Sequence, residues 1–263
     1  MQSALQFMAG GILQPVAKVQ AFGALTGACG CEVQGAPRAL IVFYRSAYLS
    51  DDFEPVSALA EALQKRGFHT CAVYVSSLKD PAATDPMRHH LSAFQPDVIF
   101  NTTAFSAKLG EGGTILDHAD APVFQVIMAS QQAWLSQTRG LNAADQAMNV
   151  VLPEVDGRIV ARAVSFKAQE PRHADLEHAA LIHRSEASRI DFIAELATKW
   201  SSLRRLPNLE KRIALVLSDY PSKGGRTGYA VGLDTPNSVL EIVQTLQKAG
   251  YTTGALPSAA ELM

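Results

Sequence analysis

Two continuous apolar runs, each followed by a loop and a helix pattern, constrain the fold more than any other feature of the 263-residue chain. Residues 39–44 (ALIVFY) are rich in β-branched and aromatic side chains, a composition typical of a strand that a parallel sheet buries on both faces. Pro55 then suits the first turn of a helix, and Gly67 suits its end. Residues 212–218 (RIALVLS) begin the same pattern, and Pro236 suits the start of the second helix. The sequence therefore predicts two β-loop-α units.

Further strand and helix patterns alternate between these two units. Strands are predicted at residues 71–75, 97–101 and 123–128, with a short helix around residues 87–94. Strands that alternate with helices at this spacing are joined by crossovers and lie parallel. We therefore predict an α/β fold with a parallel, doubly wound sheet of the Rossmann or flavodoxin-like type.

The pattern changes after residue 144. Residues 148–152 and 158–166 flank the turn-like sequence PEVDG, and the second run alternates along its length. The dipeptide Asp-Gly is common in the turns of β-hairpins. We predict an antiparallel β-hairpin that is inserted into the sheet or appended to it.

These patterns divide the chain into three parts. Residues 1–36 are unassigned, residues 37–185 form the α/β domain with its hairpin, and residues 186–263 hold a connecting helix and an incomplete second α/β unit. One strand, one helix and a further candidate strand at residues 251–255 cannot cover both faces of a sheet. We therefore expect the chain to be a portion of a longer protein.

Composition and charge exclude several classes of function. The formal net charge is −2 and 18% of the residues are charged, so we expect neither a nucleic-acid partner nor a membrane partner. Three cysteines do not make a disulfide framework, which favours a reducing, cytoplasmic location. The apolar N-terminus lacks the charged start of a signal peptide, which argues against a periplasmic ligand-binding protein.

A glycine-rich basic turn, residues 223–228 (KGGRTG), follows the strand of the second unit. Open α/β sheets bind ligands at the carboxyl ends of their strands, and glycines expose backbone N–H groups that can bind anions. The turn matches neither the P-loop pattern nor the dinucleotide fingerprint. A phosphate site, a flexible ligand-facing loop and a plain surface turn therefore remain open. The candidate substrate-binding residues here are Tyr220, Lys223, Gly224 and Arg226.

The helix that follows this turn has a clear start signal. Thr235 is predicted as its N-cap and Pro236 as its first helical residue, with Asp234 near the positive end of the helix dipole. Helix initiation explains this segment without a ligand.

Two carboxylates in the PEVDG segment are candidates for chemistry. Glu154 and Asp156 are separated by one residue, so in an extended turn they share one face and can serve as metal ligands or proton acceptors. The alternative is a plain hairpin turn. The seven histidines are scattered along the sequence, and no G-x-S-x-G nucleophile elbow is present.

Three segments resemble a known family: residues 122–167, 189–205 and 211–251, with LPEVDGRI, SDYPSKGGRTG and LDTP among them. They resemble the large subunit of cobaltochelatase, which is similar to the porphyrin-binding large subunit of magnesium chelatase. The resemblance covers the chain from about residue 37 onward. The SDYPSKGGRTG and LDTP segments favour the cobalt branch over the magnesium branch. Members of the family are several times longer than this chain.

The resemblance implies a reaction: cobalt is inserted into hydrogenobyrinic acid a,c-diamide in aerobic cobalamin biosynthesis. It also implies a division of labour, in which the large subunit binds the tetrapyrrole and the metal. AAA+-type partner subunits hydrolyse ATP, which is not bound here. The glycine-rich turn is then a structural or cavity-lining loop.

Roles for the PEVDG segment follow from the same resemblance. Metal insertion needs a base that accepts two pyrrole protons and a ligand that strips water from the ion, and we predict Glu154 and Asp156 as these catalytic residues and metal ligands. Arg158 is predicted either to pair with substrate carboxylates or to brace the turn. The chain alone is expected to be inactive without the remainder of the large subunit. The contrasting hypothesis is a noncatalytic α/β scaffold.

Overall fold

The computed structural model describes residues 10, 18–29, 34–108, 110, 112–172, 177–217, 228, 232–255, 258–259 and 261–262. The chain divides into two compact units, Met1–Thr198 and Lys199–Met263. The three-part division made from the sequence stays a prediction.

Among the described residues, seven strands form one sheet in the first unit, in the order β1-β3-β2-β4-β5-β6-β7. The five central strands pair in parallel, and the two edge strands β1 and β7 pair antiparallel. The strands are β1 Phe22–Ala24, β2 Arg38–Tyr44, β3 His69–Val75, β4 Val98–Asn101, β5 Val123–Gln132, β6 Ile159–Gln169 and β7 Leu181–Ser185. The predicted α/β fold with a mostly parallel sheet is confirmed.

Strand β2 lies at the centre because its apolar run can be buried on both faces. Residues 39–43 have at most 1% of their surface exposed. Its neighbours are β3 on one side and β4 on the other, so the chain crosses over in opposite directions from this strand. In open α/β sheets a ligand crevice forms at such a topological switch point, outside the carboxyl ends of the strands. A ligand-binding site is therefore expected at the carboxyl ends of β2 and β4.

Helices cover the sheet through apolar faces. Helix α2 shows the pattern: Pro55 lies in its first turn, and Val56, Leu59 and Leu63 are buried, each burial contributing roughly 1.5–3 kcal/mol. The α-helices are α1 Arg45–Leu49, α2 Glu54–Gln64, α3 Pro81–Phe94, α4 Ala133–Arg139, α5 Ala143–Gln146, α6 Leu152–Val155, α7 Ala187–Arg205 and α8 Thr235–Lys248. The 3₁₀-helices are Ile115–Ala119 and Asn208–Glu210. Within the described ranges, none of the helices is both long enough and apolar enough to cross a bilayer.

The predicted hairpin of residues 148–152 and 158–166 is wrong, because its first strand is absent. Residues 148–152 are helical, because α5, a π-helical turn Ala147–Val151 and α6 follow one another without a break. The Asn142 side chain caps this segment by accepting a hydrogen bond from the Asp145 N–H at 2.8 Å, and Pro153 suits the first turn of a helix but cannot donate to a strand ladder. The predicted second strand is confirmed as β6, and its antiparallel partner is β7.

Residues 186–263, which include the second unit, differ from their predicted layout in two places. The connecting helix and the final helix are confirmed as α7 and α8, but residues 211–217 and 251–255 carry no strand assignment. A strand needs a neighbouring ladder for its backbone groups, and the described residues of this unit supply none. Asp234, not Thr235, is the N-cap of α8, since its Oδ1 accepts from the Asn237 N–H at 3.2 Å.

The outer edge of β7 is held by carboxylates. The His183 N–H donates to Asp52 Oδ1 at 2.7 Å, and the Ser185 N–H donates to Glu54 Oε2 at 2.8 Å. The Ser185 hydroxyl also donates to Glu54, at 2.7 Å. The segment that leads into α2 is thereby fixed against the sheet edge.

Candidate functional site

The PEVDG segment places Asp156 and Arg158 in the interior of the first unit. Asp156 follows α6 and Arg158 precedes β6. Arg158 Nη2 donates to Asp156 Oδ2 at 2.9 Å, and the two side chains are 2% and 0% exposed, respectively. A buried pair of this kind is stable only when its remaining polar atoms are also hydrogen-bonded.

The loop after β4 and strand β5 supply partners for most of these atoms, while Arg158 Nε is buried without a hydrogen bond among the described residues. Ser106 Oγ donates to Asp156 Oδ1 at 2.5 Å, and the Ala107 N–H donates to Oδ2 at 2.6 Å. Arg158 Nη1 donates to Gln125 Oε1 at 3.0 Å and lies 3.5 Å from the Thr103 carbonyl oxygen. The ion pair therefore fixes the loop after β4 through hydrogen bonds to Asp156.

A buried amide network extends this support into the sheet. Asn101 Nδ2 donates both to Gln125 Oε1 and to the Thr103 carbonyl oxygen, each at 2.9 Å. Thr103 Oγ1 donates back to Asn101 Oδ1 at 2.9 Å. Because these groups lie out of contact with water, each would be costly to leave unpaired.

The braced loop presents one residue in an unusual conformation. Phe105 has a φ of 66°, and its side chain is half exposed. Its N–H donates to the Met148 carbonyl at 2.8 Å, which ties the loop to the helical segment. A bulky residue rarely adopts the left-handed region, and such outliers cluster at functional sites. Together with Tyr44 and Lys79, Phe105 lines a cavity of about 320 Å³.

The two carboxylates predicted as catalytic residues lie in different environments. Glu154 is exposed on α6, whereas both oxygens of Asp156 already accept hydrogen bonds. The described residues contain no group of three or more His, Cys, Asp or Glu side chains that could hold a metal ion. The roles of Glu154 and Asp156 as base and metal ligand stay predictions.

The contacts of Arg158 favour one of its two predicted roles, the bracing of the turn, because its guanidinium is buried against Asp156 and Gln125. The remaining predicted substrate-binding residues lie outside the described residues. They are Tyr220, Lys223, Gly224 and Arg226.

A second cavity, of about 380 Å³, lies at the carboxyl ends of β2 and β4. We call it the switch-point pocket. Its polar lining consists of Tyr44, Ser46, Ser50, Asp52, Thr102, Lys167 and His183. These side chains come from β2, β6 and β7, from the residue after β4, and from the α1–α2 region. Only the folded sheet brings them together.

An ion pair and a histidine form one wall of the switch-point pocket. Lys167 Nζ donates to Asp52 Oδ2 at 2.8 Å, and the two side chains are 20% and 14% exposed. His183 lies directly across from Lys167 in the β6–β7 register. Its Nδ1 lies 3.2 Å from Ser165 Oγ, which also donates to Met128 Sδ at 3.1 Å.

Burial sets the charge states in this wall. Burial, together with the nearby Lys167 ammonium, lowers the pKa of His183 to about 4, so its imidazole is neutral near pH 7. Burial alone would raise the pKa of Asp52, but hydrogen bonds from Lys167 and from the His183 N–H outweigh it, and this pKa lies below its ordinary value. The wall thus holds one balanced ion pair and one uncharged imidazole, and perturbed groups of this kind in a cleft indicate a functional site.

Sequence reasoning missed this wall. Asp52 had a usable signal, since it follows the first buried strand and therefore lies at the ligand-binding edge of the sheet. Lys167 and His183 had none, because only the register of β6 with β7 brings them together. The histidines near residue 183 have no helical periodicity, and His183 is in fact on a strand.

Comparison with known proteins identifies the family. The family model described as CobN/Magnesium Chelatase matches residues 5–263. The chain is 40% identical to the aerobic cobaltochelatase subunit CobN of Sinorhizobium sp, in an alignment that covers 86% of this chain and 18% of that protein. It is 24% identical to a magnesium-chelatase subunit of Chlorobaculum parvum, in an alignment that covers 95% of this chain and 20% of that protein.

A solved structure shows the same fold. The catalytic subunit of cobaltochelatase from Mycobacterium tuberculosis superposes with a TM-score of 0.74 at 26% identity, covering 97% of this chain and 22% of that one. The chain thus spans about a fifth of the length of the relatives that it matches. With a family match over nearly all of its residues, this chain belongs to the CobN/magnesium chelatase family.

Proposed function

We propose that this chain is part of the large subunit of an ATP-dependent cobaltochelatase, which inserts cobalt into hydrogenobyrinic acid a,c-diamide in aerobic cobalamin biosynthesis. The observation that carries the proposal is the 40% identity to an aerobic cobaltochelatase subunit, against 24% to the magnesium-chelatase subunit. Both relatives are aligned over most of this chain, so the difference supports the cobalt branch.

In this proposal the carboxyl edge of the sheet forms one wall of the tetrapyrrole cavity. The switch-point pocket and the cavity beside Phe105 both open at that edge and share Tyr44 in their linings. The remainder of the large subunit supplies the other walls. AAA+-type partner subunits hydrolyse the ATP, and cobalt is a substrate of the complex.

The two predicted carboxylates differ in how readily they can do the chemistry. Insertion needs a base for two pyrrole protons and a ligand that replaces water on the metal ion. Glu154 is exposed and can meet either need directly. Asp156 would first have to release Ser106, Ala107 and Arg158. We therefore propose Glu154 as the main candidate and Asp156 chiefly as the residue that positions the loop after β4.

Binding of the tetrapyrrole is the first test. Titration of the chain with hydrogenobyrinic acid a,c-diamide is expected to give a saturable shift in the absorption spectrum of the ligand. The absence of a saturable shift would favour the alternative function, a noncatalytic scaffold. The extensive bracing around Asp156 and Arg158 is the observation that supports this alternative.

Insertion by the reconstituted complex is the second test. With the remainder of the large subunit, the partner subunits, ATP and Co²⁺, Glu154→Gln is expected to lower the insertion rate at an unchanged melting temperature. Glu61→Gln, which removes a carboxylate from the exposed side of α2, is the matched control and is expected to insert cobalt at the unaltered rate. Equal rates in both variants would remove Glu154 from the reaction.

A further inference from the structure

We propose that the switch-point pocket binds an uncharged carboxamide group and discriminates against a carboxylate at the same position. The inference deepens the proposed function, because the proposed substrate carries two carboxamides. The identity of the natural ligand rests on that proposed function. The preference itself follows from the size, the charge balance and the hydrogen-bonding groups of the pocket.

The size and walls of the pocket suit a side arm rather than a whole macrocycle. Its volume is about 380 Å³, near the small end of the range for ligand pockets. Phe43, Val56 and Met128 supply an apolar surface, against which the methylene groups of an arm can pack. Asp52, Lys167 and His183 form one polar wall, and Tyr44, Ser46, Ser50 and Thr102 complete the polar lining.

The charge balance of the pocket disfavours a second anion. Lys167 Nζ is already paired with Asp52 at 2.8 Å, so the pair contributes no net charge. A ligand carboxylate at Lys167 would also face the Asp52 carboxylate in a partly desolvated site, where repulsion between like charges is strong. A neutral group brings no such repulsion.

The imidazole of His183 gives the amide a positive advantage. Nδ1 is engaged with Ser165 Oγ at 3.2 Å, and no other hydrogen bond of this ring occurs among the described residues. Since the single hydroxyl proton of Ser165 goes to Met128 Sδ, Nδ1 carries the ring proton and Nε2 of the neutral ring is an acceptor. A carboxamide N–H can donate to Nε2, whereas a carboxylate can only accept.

Small probes test the preference without any assumption about the natural substrate. Propionamide and propionate are titrated separately into the chain at neutral pH, and the ring resonances of His183 are followed by NMR. We expect a saturable shift with propionamide and no saturable shift with propionate at the same concentrations. The ring of His89, exposed on α3, is the internal control. Equal saturable responses of His183 to both probes, or no response to propionamide, would overturn the inference.

A charge-changing variant gives the sharper test, because it predicts a gain of binding. Asp52→Asn removes the negative charge and leaves Lys167 without its ion-pair partner, so the ratio of propionate to propionamide affinity is expected to rise by on the order of tenfold. Asp51→Asn is the matched control at the neighbouring, exposed position, and it is expected to leave the ratio unchanged. An unchanged ratio in Asp52→Asn, with unchanged cooperative unfolding, would contradict the charge argument.

The corrinoid itself separates failure of this inference from failure of the proposed function. Hydrogenobyrinic acid a,c-diamide is compared with hydrogenobyrinic acid, which has carboxyl groups in place of the two amides. We expect the wild-type chain to prefer the diamide and Asp52→Asn to lose that preference. If the diamide binds equally selectively to both proteins, the inference fails and the proposed function stands. If propionamide binds selectively but neither corrinoid binds, the pocket preference stands and the proposed function fails.

Discussion

Asp156 and Arg158 form a buried ion pair whose two ends hold different elements: the carboxylate holds the loop after β4, and the guanidinium reaches Gln125 on β5. The pair therefore works as a brace between two neighbouring strands at the ligand edge of the sheet. Because it holds Ser106 and Ala107, the two residues after Phe105, it links the stability of the first unit to the conformation of that loop.

Removal of one charge from this brace is expected to destabilise the fold strongly. Asp156→Asn leaves the Arg158 guanidinium buried without a counter-ion, so the free energy of unfolding should fall by about 3–5 kcal/mol. Urea denaturation measures this loss. The control is Asp191→Asn in the exposed pair with Arg66, which should cost at most about 1 kcal/mol. Equal losses in the two variants would contradict the bracing role.

The stability of the first unit is expected to fall as the pH drops from 6.5 toward 4. The pKa of folded His183 is about 4, below its ordinary value of 6.5, so the unfolded chain binds the extra proton first in this window. Burial lowers this pKa most and Lys167 lowers it further, while Asp52 and Asp145 oppose the shift. Urea denaturation between pH 7 and pH 4.5 measures the dependence.

The matched variant for this pH dependence is His183→Asn, in which the free energy of unfolding should change less with pH. Some dependence of stability on pH should remain, because burial also lowers the pKa of His90. Protonation of His90 therefore also favours the unfolded chain as the pH falls. A slope identical to that of the wild type would exclude His183 as a source of the effect.

The thiols of Cys29 and Cys71 are expected to form a disulfide when an oxidant is supplied. Their Sγ atoms lie 2.6 Å apart, and the hydrogen bond with Cys71 lowers the pKa of Cys29 to about 6, which favours the reactive thiolate. Oxidised glutathione takes up the two electrons and the two thiol protons and is released as reduced glutathione. The product should lose the mass of two hydrogens and gain about 2–4 kcal/mol in unfolding free energy.

Cys71→Ser is the control for this oxidation, since it removes the buried partner and leaves Cys29 exposed. Peptide mapping should then show Cys29 in a mixed disulfide with glutathione and no disulfide at position 71. Oxidation of the wild type to the same mixed disulfide alone would contradict the predicted pairing.

Backbone strain at Phe105 should be visible in substitutions. The left-handed conformation costs a non-glycine residue roughly 1–2 kcal/mol, so Phe105→Gly is expected to keep or slightly raise the melting temperature despite the loss of the ring. Phe105→Val should lower it, because β-branched residues tolerate this conformation least. Thermal denaturation of the three proteins checks the order, and a glycine variant less stable than the valine variant would refute it.

Sequence patterns predicted the centre of the fold better than its periphery. The run in β2 and Pro55 in α2 are local signals that tertiary packing reinforces. Residues 148–152 are mostly apolar and include two valines, which suits either a strand or a buried helix, and the deciding contact, the cap at Asn142, lies outside that run. Similarly, Asp234 and Thr235 are both good N-caps, so the sequence alone could not choose between them.

The sequence predicted only those residues of the candidate site that lie close together along the chain. Glu154, Asp156 and Arg158 are close together in sequence, so a motif could point to them, but burial of Asp156 depends on a loop fifty residues earlier. The wall of Asp52, Lys167 and His183 joins positions more than a hundred residues apart. Residues that meet only through strand register leave no local pattern to read.

The carboxylates of Asp52 and Glu54 have a consequence for assembly. The N–H groups of residues 183 and 185 point to the side of β7 opposite β6, the side on which a further strand would pair. Both already donate to the Asp52 and Glu54 side chains. An approaching extended segment would find these two donors already used, which disfavours β-augmentation and aggregation at this part of the sheet edge. Partners that meet this flank must therefore recognise it through side chains and shape.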